Sequence, residues 1–495
     1  MTKPFLNSSK LFRSLFVLVL VCIAINARAK NADNPNVVII YSDDLGYGDV
    51  GCYGATKVKT SNIDKFAKEG LRFTDAHCSS ATCTPSRFAL LTGEYPWRKK
   101  GTGILPGDAK MIINPGTLTL PGVFQKAGYK TAAVGKWHLG LGNSKIDWNK
   151  YIAPGPHEIG FDYSFLIPAT GDRVPCVFVE NQKVVGLDPA DPILVDYDKK
   201  VGNEPTGREN PDLLKMKFRR GHDDTIVNGI SRIGFMTGGK TARWVDEDIA
   251  DVITKKAVHF IEENKTHPFF LYFATHDIHV PHAPNSRFRG TSGCGLRGDA
   301  IQEFDWSVGE VLTTLERLKL TDNTLVIVTS DNGGVVNDGY ADRSEEDLNG
   351  HKPNGALRGG KYSLFEGGTR IPFIARWPGH IKPGTSDALI CQVDFTSTFA
   401  KLTKQTLPDN TAPDSFDVLP ALLGESKTGR NTLVEHGNGL ALRKGSWKFI
   451  APGKEAAKNA NAERGVSVEA QLYDLNKDLG EKSNVAAANP ELVKT

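Results

Sequence analysis

Three short apolar segments place the strongest constraint on the fold of this chain. Residues 36–41, 268–274 and 324–329 are rich in β-branched and aromatic side chains, and they have the length of buried strands. Patterns typical of helices lie between these segments, at residues 62–70, 119–127, 246–264 and 300–318. Because strands alternate with helices, the sequence predicts an α/β fold with a large, mixed, mostly parallel central sheet flanked by helices.

Acidic and amide side chains directly follow two of these segments. Asp43 and Asp44 come after the first segment, and Asp331 and Asn332 come after the third. In open α/β sheets ligands bind beyond the carboxyl ends of the strands, so we expect these side chains to meet at one edge. Their oxygen atoms suit a hard cation and favour Ca²⁺ over Zn²⁺. For either pair alone, ordinary strand-end turn chemistry is the alternative.

The segment Cys83-Thr84-Pro85-Ser86-Arg87 joins a potential nucleophile to a helix start. Proline and serine mark the first turn of a helix, and Arg87 would lie about one turn beyond Cys83 on the same face. A helix N-terminus attracts anions, and arginine binds oxyanions through two hydrogen bonds. The pattern predicts an anion-binding nucleophile site; the alternative is a cysteine that serves only as a small buried hydrophobic residue.

Three further segments carry groups that could bind an anion. Lys136 and His138 would share one face of an extended segment, where they could bind an anion and move a proton. Residues 276–282 contain three imidazoles, including His276 and His279, in a spacing that fits no common zinc pattern. The glycines before Lys361 would let the chain approach a ligand closely. Ordinary core or loop chemistry is the alternative for each segment.

The first 29 residues have the pattern of a secretory signal peptide. Basic residues precede an apolar run at residues 15–25, which is too short to span a membrane, and Ala27-Arg28-Ala29 supplies a cleavage signal. We therefore expect an exported protein, located in the periplasm or secreted. Lipid anchoring through Cys22 is the alternative. No other apolar run reaches membrane-spanning length, so we expect no membrane span.

The charge and cysteine content give no support to a nucleic-acid-binding protein or to a known disulfide framework. Four of the 60 basic residues and none of the 57 acidic residues lie in residues 1–29, so the remaining chain carries a net charge of −1. No basic run is dense enough to indicate nucleic-acid binding. Apart from Cys22 and Cys83, five cysteines remain, and their spacing matches no disulfide framework. At most two disulfides could form among them.

The character of the sequence changes near residue 384. We expect a catalytic domain over residues 30–384 and a smaller α+β domain over residues 385–495. The polar stretch at residues 169–240 predicts long loops and short strands over the site. In the smaller domain we expect a helix and short strands, at residues 393–402, 440–450 and 471–475.

Taken together and in this order, the motifs resemble those of type I, formylglycine-dependent sulfatases. Residues 83–87 match the family signature Cys-x-Pro-Ser-Arg, and the resemblance extends over nearly the whole chain after the signal peptide. It is closest to secreted bacterial members similar to arylsulfatase A and galactosamine-6-sulfatase. The resemblance implies an alkaline phosphatase-like fold and Ca²⁺ as a cofactor. It also implies that a formylglycine-generating or sulfatase-maturating enzyme oxidises Cys83 to formylglycine.

The resemblance further implies the activity and the roles of single residues. The activity would be hydrolysis of sulfate monoesters, with the hydrated aldehyde (gem-diol) of formylglycine as nucleophile, and Arg87 would steady that group. The implied metal ligands are Asp43, Asp44, Asp331, Asn332 and the modified Cys83. The residues implied to bind sulfate and handle protons are Lys136, His138, His279 and Lys361, with His276 as a weaker candidate.

An acidic and a basic residue stand side by side in the polar stretch. Asp172 and Arg173 could accept from and donate to neighbouring sugar hydroxyls, and residues 221–224, which include His222, offer a second such cluster. The region resembles the part of galactosamine-6-sulfatase-like enzymes thought to select the sugar. The substrates it implies are sulfated galactose or N-acetylgalactosamine units of glycans. The alternative is an ordinary surface ion pair.

Other functions remain as alternatives. A phosphatase or phosphodiesterase of the same superfamily usually carries serine or threonine as nucleophile and two transition metals, and Cys83 with its lysine-rich surroundings argues against it. A non-catalytic protein that binds sulfated glycans would be expected if an essential residue were missing, and none is. A cysteine hydrolase would use unmodified Cys83 with His138, but the sequence shows no supporting asparagine partner or oxyanion-binding arrangement.

Overall fold

A large central sheet organises the computed structural model, which describes residues 34–454 and 463–494. The predicted signal peptide lies outside the described residues. The strands of the central sheet are β1 (Asn36–Ser42), β2 (Leu71–Phe73), β3 (Lys130–Lys136), β4 (Tyr163–Ile167), β5 (Val179–Glu180), β6 (Lys183–Val184), β7 (Phe269–Ala274), β8 (Thr324–Ser330), β9 (Phe373–Arg376) and β10 (Gly384–Ser386).

The order of strands across this sheet is β10-β2-β9-β8-β1-β7-β3-β4-β5-β6. The central block β8-β1-β7-β3-β4 is parallel throughout, whereas β9 pairs antiparallel with β8 and β5 pairs antiparallel with β4. All residues of β1, β7 and β8 are buried, which explains why their sequences are continuously apolar rather than alternating. The predicted mixed, mostly parallel α/β sheet is confirmed.

Helices cover both faces of the sheet. The helices are α1 (Ser61–Glu69), α2 (Cys83–Thr92), α3 (Leu120–Lys126), α4 (Ile249–Glu263), α5 (Gly295–Arg317), α6 (Glu366–Thr369), α7 (Phe395–Leu402), α8 (Leu419–Leu422) and α9 (Pro490–Lys494). Neighbouring residues of a strand point to opposite faces, and in β7 they contact different helices. The ring of Phe269 lies 6.0 Å from that of Phe260 in α4, whereas Phe270 stacks on Phe124 of α3 at 4.3 Å.

Helix α5 begins at Gly295, earlier than the pattern at residues 300–318 predicts. Its first turn carries Arg297, which interrupts the apolar periodicity. Arg297 is nevertheless buried, because its guanidinium donates two hydrogen bonds to Asp49, at 2.7 and 2.6 Å. The pattern misses the first turn of α5 because a charged side chain is buried there as an ion pair, where an apolar side chain is expected.

A smaller antiparallel sheet follows the central sheet in the chain. Its strands are β11 (Thr432–His436), β12 (Leu440–Lys444), β13 (Trp447–Ile450) and β14 (Gln471–Asp474), paired in chain order. The short strands expected at residues 440–450 and 471–475 are present, while β11 is an addition to them. The domain boundary near residue 384 stays a prediction. Helix α7 matches the helix expected at residues 393–402 and packs against α2 and α3.

The polar stretch at residues 169–240 contains short strands and the 3-10 helix Pro211–Leu213 besides its loops. Leu194–Asp196 pairs with Phe235–Thr237, and Ile226–Val227 pairs with Ile230–Ser231. The cysteines of the described residues are all free thiols, and Cys22 lies outside them. No helix within residues 34–454 and 463–494 is long and apolar enough to cross a membrane.

Candidate active site

The parallel strands deliver polar side chains to one edge of the central sheet. Strands β1 and β8 remain paired up to Ser42 and Ser330, so the residues that follow them leave the sheet side by side. Strand β7 is in register with β1 and β3, and β3 is in register with β4. The segments beyond these strand ends carry Asp43, Asp44, His138, Asp172, Arg173, His276, His279, Asp331 and Asn332.

Cys83 is the first residue of helix α2. Thr82 before it is extended, and no side chain caps the helix among the described residues. All ten residues of α2 are buried, and Cys83 itself is only 1% exposed. Burial raises the pKa of the Cys83 thiol, although Lys136 and Lys361 oppose the shift. The unmodified side chain is therefore a neutral thiol at neutral pH, and a neutral thiol is a poor nucleophile.

Arg87 connects α2 to the strand ends. Its Nε and Nη2 atoms donate hydrogen bonds to Asp331 Oδ2 at 3.0 and 2.8 Å, and its Nη1 donates to the carbonyl of Lys136 at 3.2 Å. The guanidinium also lies over the ring of Tyr41, with its carbon 5.1 Å from the ring centre. Arg87 is fully buried, so these contacts fix it and Asp331 relative to Cys83.

Three buried carboxylates meet where β1 and β8 end. The backbone N–H of Asp44 donates to Asp331 Oδ1 at 3.1 Å, and Asn332 Nδ2 donates to Asp44 Oδ1 at 2.7 Å. Burial raises the pKa of Asp43, and the neighbouring Asp331 raises it further. Burial also raises the pKa of Asp44. For Asp331, burial opposes ionisation, but Arg87 and Lys136 outweigh it and keep its pKa below the usual value.

Two oxygen atoms in this group are left without partners. Asp43 Oδ1 and Asn332 Oδ1 are buried and accept no hydrogen bond from the described residues. One ligand atom each of Asp43, Cys83 and Asp331 lies within 4.8 Å of the others. Buried polar atoms usually have partners, so unpaired oxygens beside crowded carboxylates are suited to bind a cation. The donor set is mainly oxygen, which suits a hard ion such as Ca²⁺.

Two buried lysines border the carboxylates. Lys136 Nζ donates a short hydrogen bond to Asp43 Oδ2, and Lys361 Nζ donates to Asp44 Oδ2 at 2.8 Å. Burial opposes the charge on Lys361, but Asp338 and Asp44 outweigh it and raise its pKa well above the usual value. Lys361 is therefore an ammonium group. An ammonium has three N–H donors, so each lysine can also bind an anion that reaches the site.

Two of the predicted histidines, His138 and His279, are held as neutral bases. His138 Nε2 donates to the carbonyl of Leu105 at 2.9 Å, while its Nδ1 is buried without a partner among the described residues. His279 Nδ1 donates to the carbonyl of Val280 at 2.7 Å, which leaves Nε2 facing Asp44 at 3.9 Å. Burial lowers the pKa of both imidazoles, and nearby lysines lower it further. Each ring therefore keeps one lone pair free to accept a proton.

A glycine before Lys136 lets β3 approach β7 closely. Gly135 has a φ of 101°, and a Cβ atom there would lie 1.9 Å from the carbonyl oxygen of Ala274. Any other residue would therefore be strained in its own backbone and would push the two strands apart. Gly135 keeps Lys136 and the end of β7 at their observed separation.

The predicted sugar-binding residues form one connected cluster. Arg173 Nη1 donates to both carboxylate oxygens of Asp172, at 2.8 and 2.9 Å, and His222 Nε2 contacts Asp172 Oδ2 at 2.9 Å. His222 Nδ1 contacts the carbonyl of Arg220. Burial disfavours the charged ring, but Asp172 outweighs it and raises the pKa of His222. Both ring nitrogens have acceptors, which fits an imidazolium.

This cluster is supported from behind and borders the anion site. Arg232 is fully buried, pairs with Asp246 at 2.8 Å and donates to the carbonyl of Gly171 at 2.6 Å. The ring of His276 packs where a Cβ on Gly171 would lie, and burial lowers the pKa of His276 to about 3. His276 is thus an uncharged ring that packs against the loop at Gly171. Its Nδ1 has no hydrogen-bond partner among the described residues.

The structure adds two residues that the sequence patterns do not single out. Asp338 accepts a hydrogen bond from Lys361 Nζ at 2.9 Å, and the Tyr362 hydroxyl donates to the same carboxylate. Asp338 lies in Asn337-Asp338-Gly339, which looks like an ordinary turn. Tyr362 follows Lys361 directly, but an aromatic residue carries no signal of its own in a glycine-rich loop.

Comparisons with known proteins agree with this arrangement. The model of the family described as Sulfatase matches residues 35–405. An N-acetylgalactosamine-6-O-sulfatase of Bacteroides thetaiotaomicron is 54% identical over 470 residues, which cover 94% of this chain and 92% of that protein. Human arylsulfatase A is 34% identical over 493 residues, which cover 95% of this chain and 88% of that protein.

A solved structure shows the same similarity in three dimensions. It comes from work on the metabolism of multiple glycosaminoglycans by Bacteroides thetaiotaomicron and superimposes with a TM-score of 0.92. Its sequence is 55% identical, and the match covers 93% of this chain and 97% of the other.

Proposed function

Because this chain belongs to the sulfatase family and is a sulfuric ester hydrolase, we propose that it removes sulfate from sulfated N-acetylgalactosamine or galactose units of glycans. One observation carries the proposal: Cys83, the lysines Lys136 and Lys361 and the carboxylate group meet at one edge of the sheet, next to the Asp172 cluster. The similarity to an N-acetylgalactosamine-6-O-sulfatase favours the 6-O-sulfate of N-acetylgalactosamine as the first substrate to test.

Ca²⁺ is the cofactor that the acidic group fits. Its ligands would be Asp43, Asp44, Asp331, Asn332 and the modified side chain at position 83. When bound, the ion supplies fixed positive charge against the oxygens of the sulfate group. Lys136 and Lys361 already bond Asp43 and Asp44, so these carboxylate oxygens face ammonium groups. That arrangement suits one ion better than the two transition metals expected of the phosphatase alternative.

Conversion of Cys83 to formylglycine by a maturation enzyme would supply the nucleophile. When present, this group would supply a hydrated aldehyde with two hydroxyls: the first is a nucleophile for sulfur, and loss of the proton of the second would break the bond between carbon and the sulfate oxygen and restore the aldehyde. Burial of the neutral Cys83 thiol argues against the alternative in which the unmodified cysteine acts with His138. The buried anion pocket around it, with Arg87, Lys136 and Lys361, suits the negative oxygens of a sulfate ester.

The surrounding residues divide the proton transfers between them. Asp331 is ionised and held by Arg87, so it can accept a proton from the attacking hydroxyl. Lys361 is the better donor to the leaving sugar oxygen, because its ammonium carries protons whereas His279 Nε2 carries none. His138 has an unpaired Nδ1 and can take the proton that is removed when sulfate leaves.

The Asp172 cluster would bind the sugar. Asp172 and Arg173 present acceptor and donor groups together, as vicinal hydroxyls require, and the charged His222 fixes the carboxylate. The charge of Arg173 also lowers the pKa of His138, so the cluster is electrostatically linked to the sulfate end of the pocket. An exported enzyme, placed in the periplasm or secreted, would meet such glycans outside the cytoplasm; this rests on the pattern of residues 1–29.

Arg173→Ala tests whether the cluster selects the sugar. We expect kcat/KM on N-acetylgalactosamine 6-sulfate to fall. The loss should correspond to about 1–3 kcal/mol of transition-state stabilisation, since Asp172 loses its partner and the sugar loses a donor. Activity on an aryl sulfate should change far less. The matched control is Arg317→Ala, whose side chain pairs with Glu262 at the surface. Equal losses on both substrates would show that the cluster only maintains the loop.

A further inference from the structure

Asp338 connects the sulfate end of the pocket to the sugar end. On one side its Oδ2 accepts a hydrogen bond from Lys361 Nζ at 2.9 Å, and the same ammonium donates to Asp44 Oδ2 at 2.8 Å. The Tyr362 hydroxyl donates to both oxygens of Asp338, at 3.2 and 3.1 Å. Asp338 is thus linked through Lys361 to Asp44, one of the proposed metal ligands.

The residues after Asp338 contact the sugar-binding cluster. Gly339 has a φ of 98°, and a Cβ atom there would lie 2.0 Å from His222 Cε1, so only glycine lets the imidazole approach. The ring of Tyr340 lies 4.8 Å from that of His222. His222 in turn contacts Asp172. The segment from Asp338 to Tyr340 therefore forms one wall that runs from Lys361 to Asp172.

The charge on Asp338 is incompletely balanced. Asp172 faces two cationic partners, Arg173 and His222, whereas Asp338 shares the single ammonium of Lys361 with Asp44. Burial opposes ionisation of Asp338, but Lys361 keeps its pKa below the usual value, so the group is a carboxylate. Its side chain is 16% exposed, compared with 1% for Lys361, which places it toward the open side.

Asp338 also retains capacity to accept a further hydrogen bond. A carboxylate offers about four lone-pair positions, and in Asp338 these receive Lys361 and the shared Tyr362 hydroxyl. Tyr362 is itself fixed, because its backbone N–H donates to the carbonyl of Ala81 at 2.7 Å, close to Cys83 in the chain. The carboxylate is thus pre-oriented beside Lys361, one of the proposed sulfate-binding groups.

We propose that Asp338 is a specificity-determining residue that accepts a hydrogen bond from an uncharged sugar hydroxyl next to the esterified position and rejects a second sulfate there. This inference rests on the proposed function, since it concerns the sugar bound by that site. A hydroxyl can donate to the carboxylate, whereas a second sulfate has no proton to donate and would bring like charges together. The enzyme should therefore act on singly sulfated sugars and discriminate against disulfated ones.

The test compares two substrates in the Ca²⁺-loaded, matured enzyme: N-acetylgalactosamine 6-sulfate and N-acetylgalactosamine 4,6-disulfate. We expect the wild-type ratio of kcat/KM to favour the singly sulfated sugar. Asp338→Asn keeps the shape and removes the charge, and it should reduce that ratio by about tenfold or more, because a second sulfate then no longer meets a like charge. Tyr362→Phe should reduce it in the same direction but less, since it only loosens Asp338.

Controls separate this role from a structural one. Asp322→Asn removes an exposed carboxylate that precedes β8, at the opposite end of this strand from the site, and should leave the ratio unchanged. An aryl sulfate carries no sugar, so activity on this substrate measures the effect of a variant on Lys361 and the sulfate end of the site alone. If Asp338→Asn lowers activity on all three substrates equally, Asp338 only positions Lys361 and the inference is wrong. If the wild type hydrolyses the aryl sulfate but neither sugar, the proposed substrate class is wrong and the inference falls with it.

Discussion

At the scale of the residue, position decides what each carboxylate can do. Asp43, Asp44 and Asp331 are all buried within one group, yet burial raises the pKa of the first two while Arg87 and Lys136 keep that of Asp331 low. Asp331 is therefore ionised before any cation arrives. A bound cation would favour the charged forms of Asp43 and Asp44, which links their ionisation to metal binding.

Arg87→Lys tests how much this geometry contributes. A lysine keeps the positive charge but cannot donate the paired hydrogen bonds that reach Asp331 at 3.0 and 2.8 Å. We expect kcat on an aryl sulfate to fall by about 10² or more, the usual loss when an electrostatic contact in the active site is removed. Arg208→Lys, at an exposed pair, is the control. An activity within a factor of two of wild type would show that charge alone suffices.

The sequence predicts most residues of the site but not all of them. Asp43, Asp44, Asp331 and Asn332 could be predicted, because each pair directly follows a buried strand and parallel strands end at one edge. Asp338 and Tyr362 could not, since their roles depend on how a loop folds back onto Lys361. His222 joins Asp172 only because Gly339 leaves room for its ring, a contact between segments far apart in the chain.

At the scale of the element, the small C-terminal sheet supports the segment that carries Cys83. The N–H of His436 in β11 donates to the carbonyl of Ser79, and the N–H of Ala81 donates to the carbonyl of His436, both at 2.9 Å. Lys448 of β13 lies fully buried between Glu366 of α6 and Glu435 of β11, at 2.9 and 2.8 Å. Buried charges thus join the small sheet to α6.

Lys448→Met should destabilise the protein strongly. The change leaves the carboxylates of Glu366 and Glu435 buried without their shared cation, and breaking a buried pair in this way costs about 3–5 kcal/mol in the free energy of unfolding. Lys444→Met, on the exposed side of neighbouring β12, should change it by less than about 0.5 kcal/mol. Urea unfolding followed by circular dichroism measures both. Equal stability of the two variants would contradict the role given to Lys448.

Strands rich in apolar β-branched or aromatic residues could be predicted from the sequence, whereas a strand of small residues could not. Strands β1, β7 and β8 are apolar and β-branched or aromatic, and the sequence predicts them within a residue of their observed ends. Strand β3 reads Lys-Thr-Ala-Ala-Val-Gly-Lys, whose alanines and glycine give little strand signal. It forms because it is inserted between β7 and β4, so tertiary context overrides local preference.

At the scale of the whole molecule, the fold collects one site from segments spread over most of the chain. The site residues lie between Asp43 and Lys361 in the chain. They converge because parallel strands end at the same edge of the sheet and because Cys83, the first residue of α2, lies beside these strand ends. A bound cation would tie β1, β8 and α2 together. Binding that occurs only in the folded state stabilises it by mass action.

Removal of Ca²⁺ should therefore lower both activity and stability. After chelation we expect loss of sulfate release and a lower melting temperature. Adding back Ca²⁺ at about 100 times its Kd should restore about 2.7 kcal/mol of stability. Mg²⁺ should act as a weaker substitute, because it demands a smaller and stricter coordination shell. Restoration by Zn²⁺ alone, with no response to Ca²⁺, would favour the phosphatase alternative instead.

Mass spectrometry of the peptide that contains residue 83, taken from an active preparation, tests the central claim most directly. Co-expression with a maturation enzyme should give a mass loss that matches replacement of CH2–SH by CHO, and sulfate release should rise in proportion to the converted fraction. Cys83→Ala should release almost none. Full activity from a preparation in which every copy of Cys83 is an unmodified thiol would contradict the proposed chemistry.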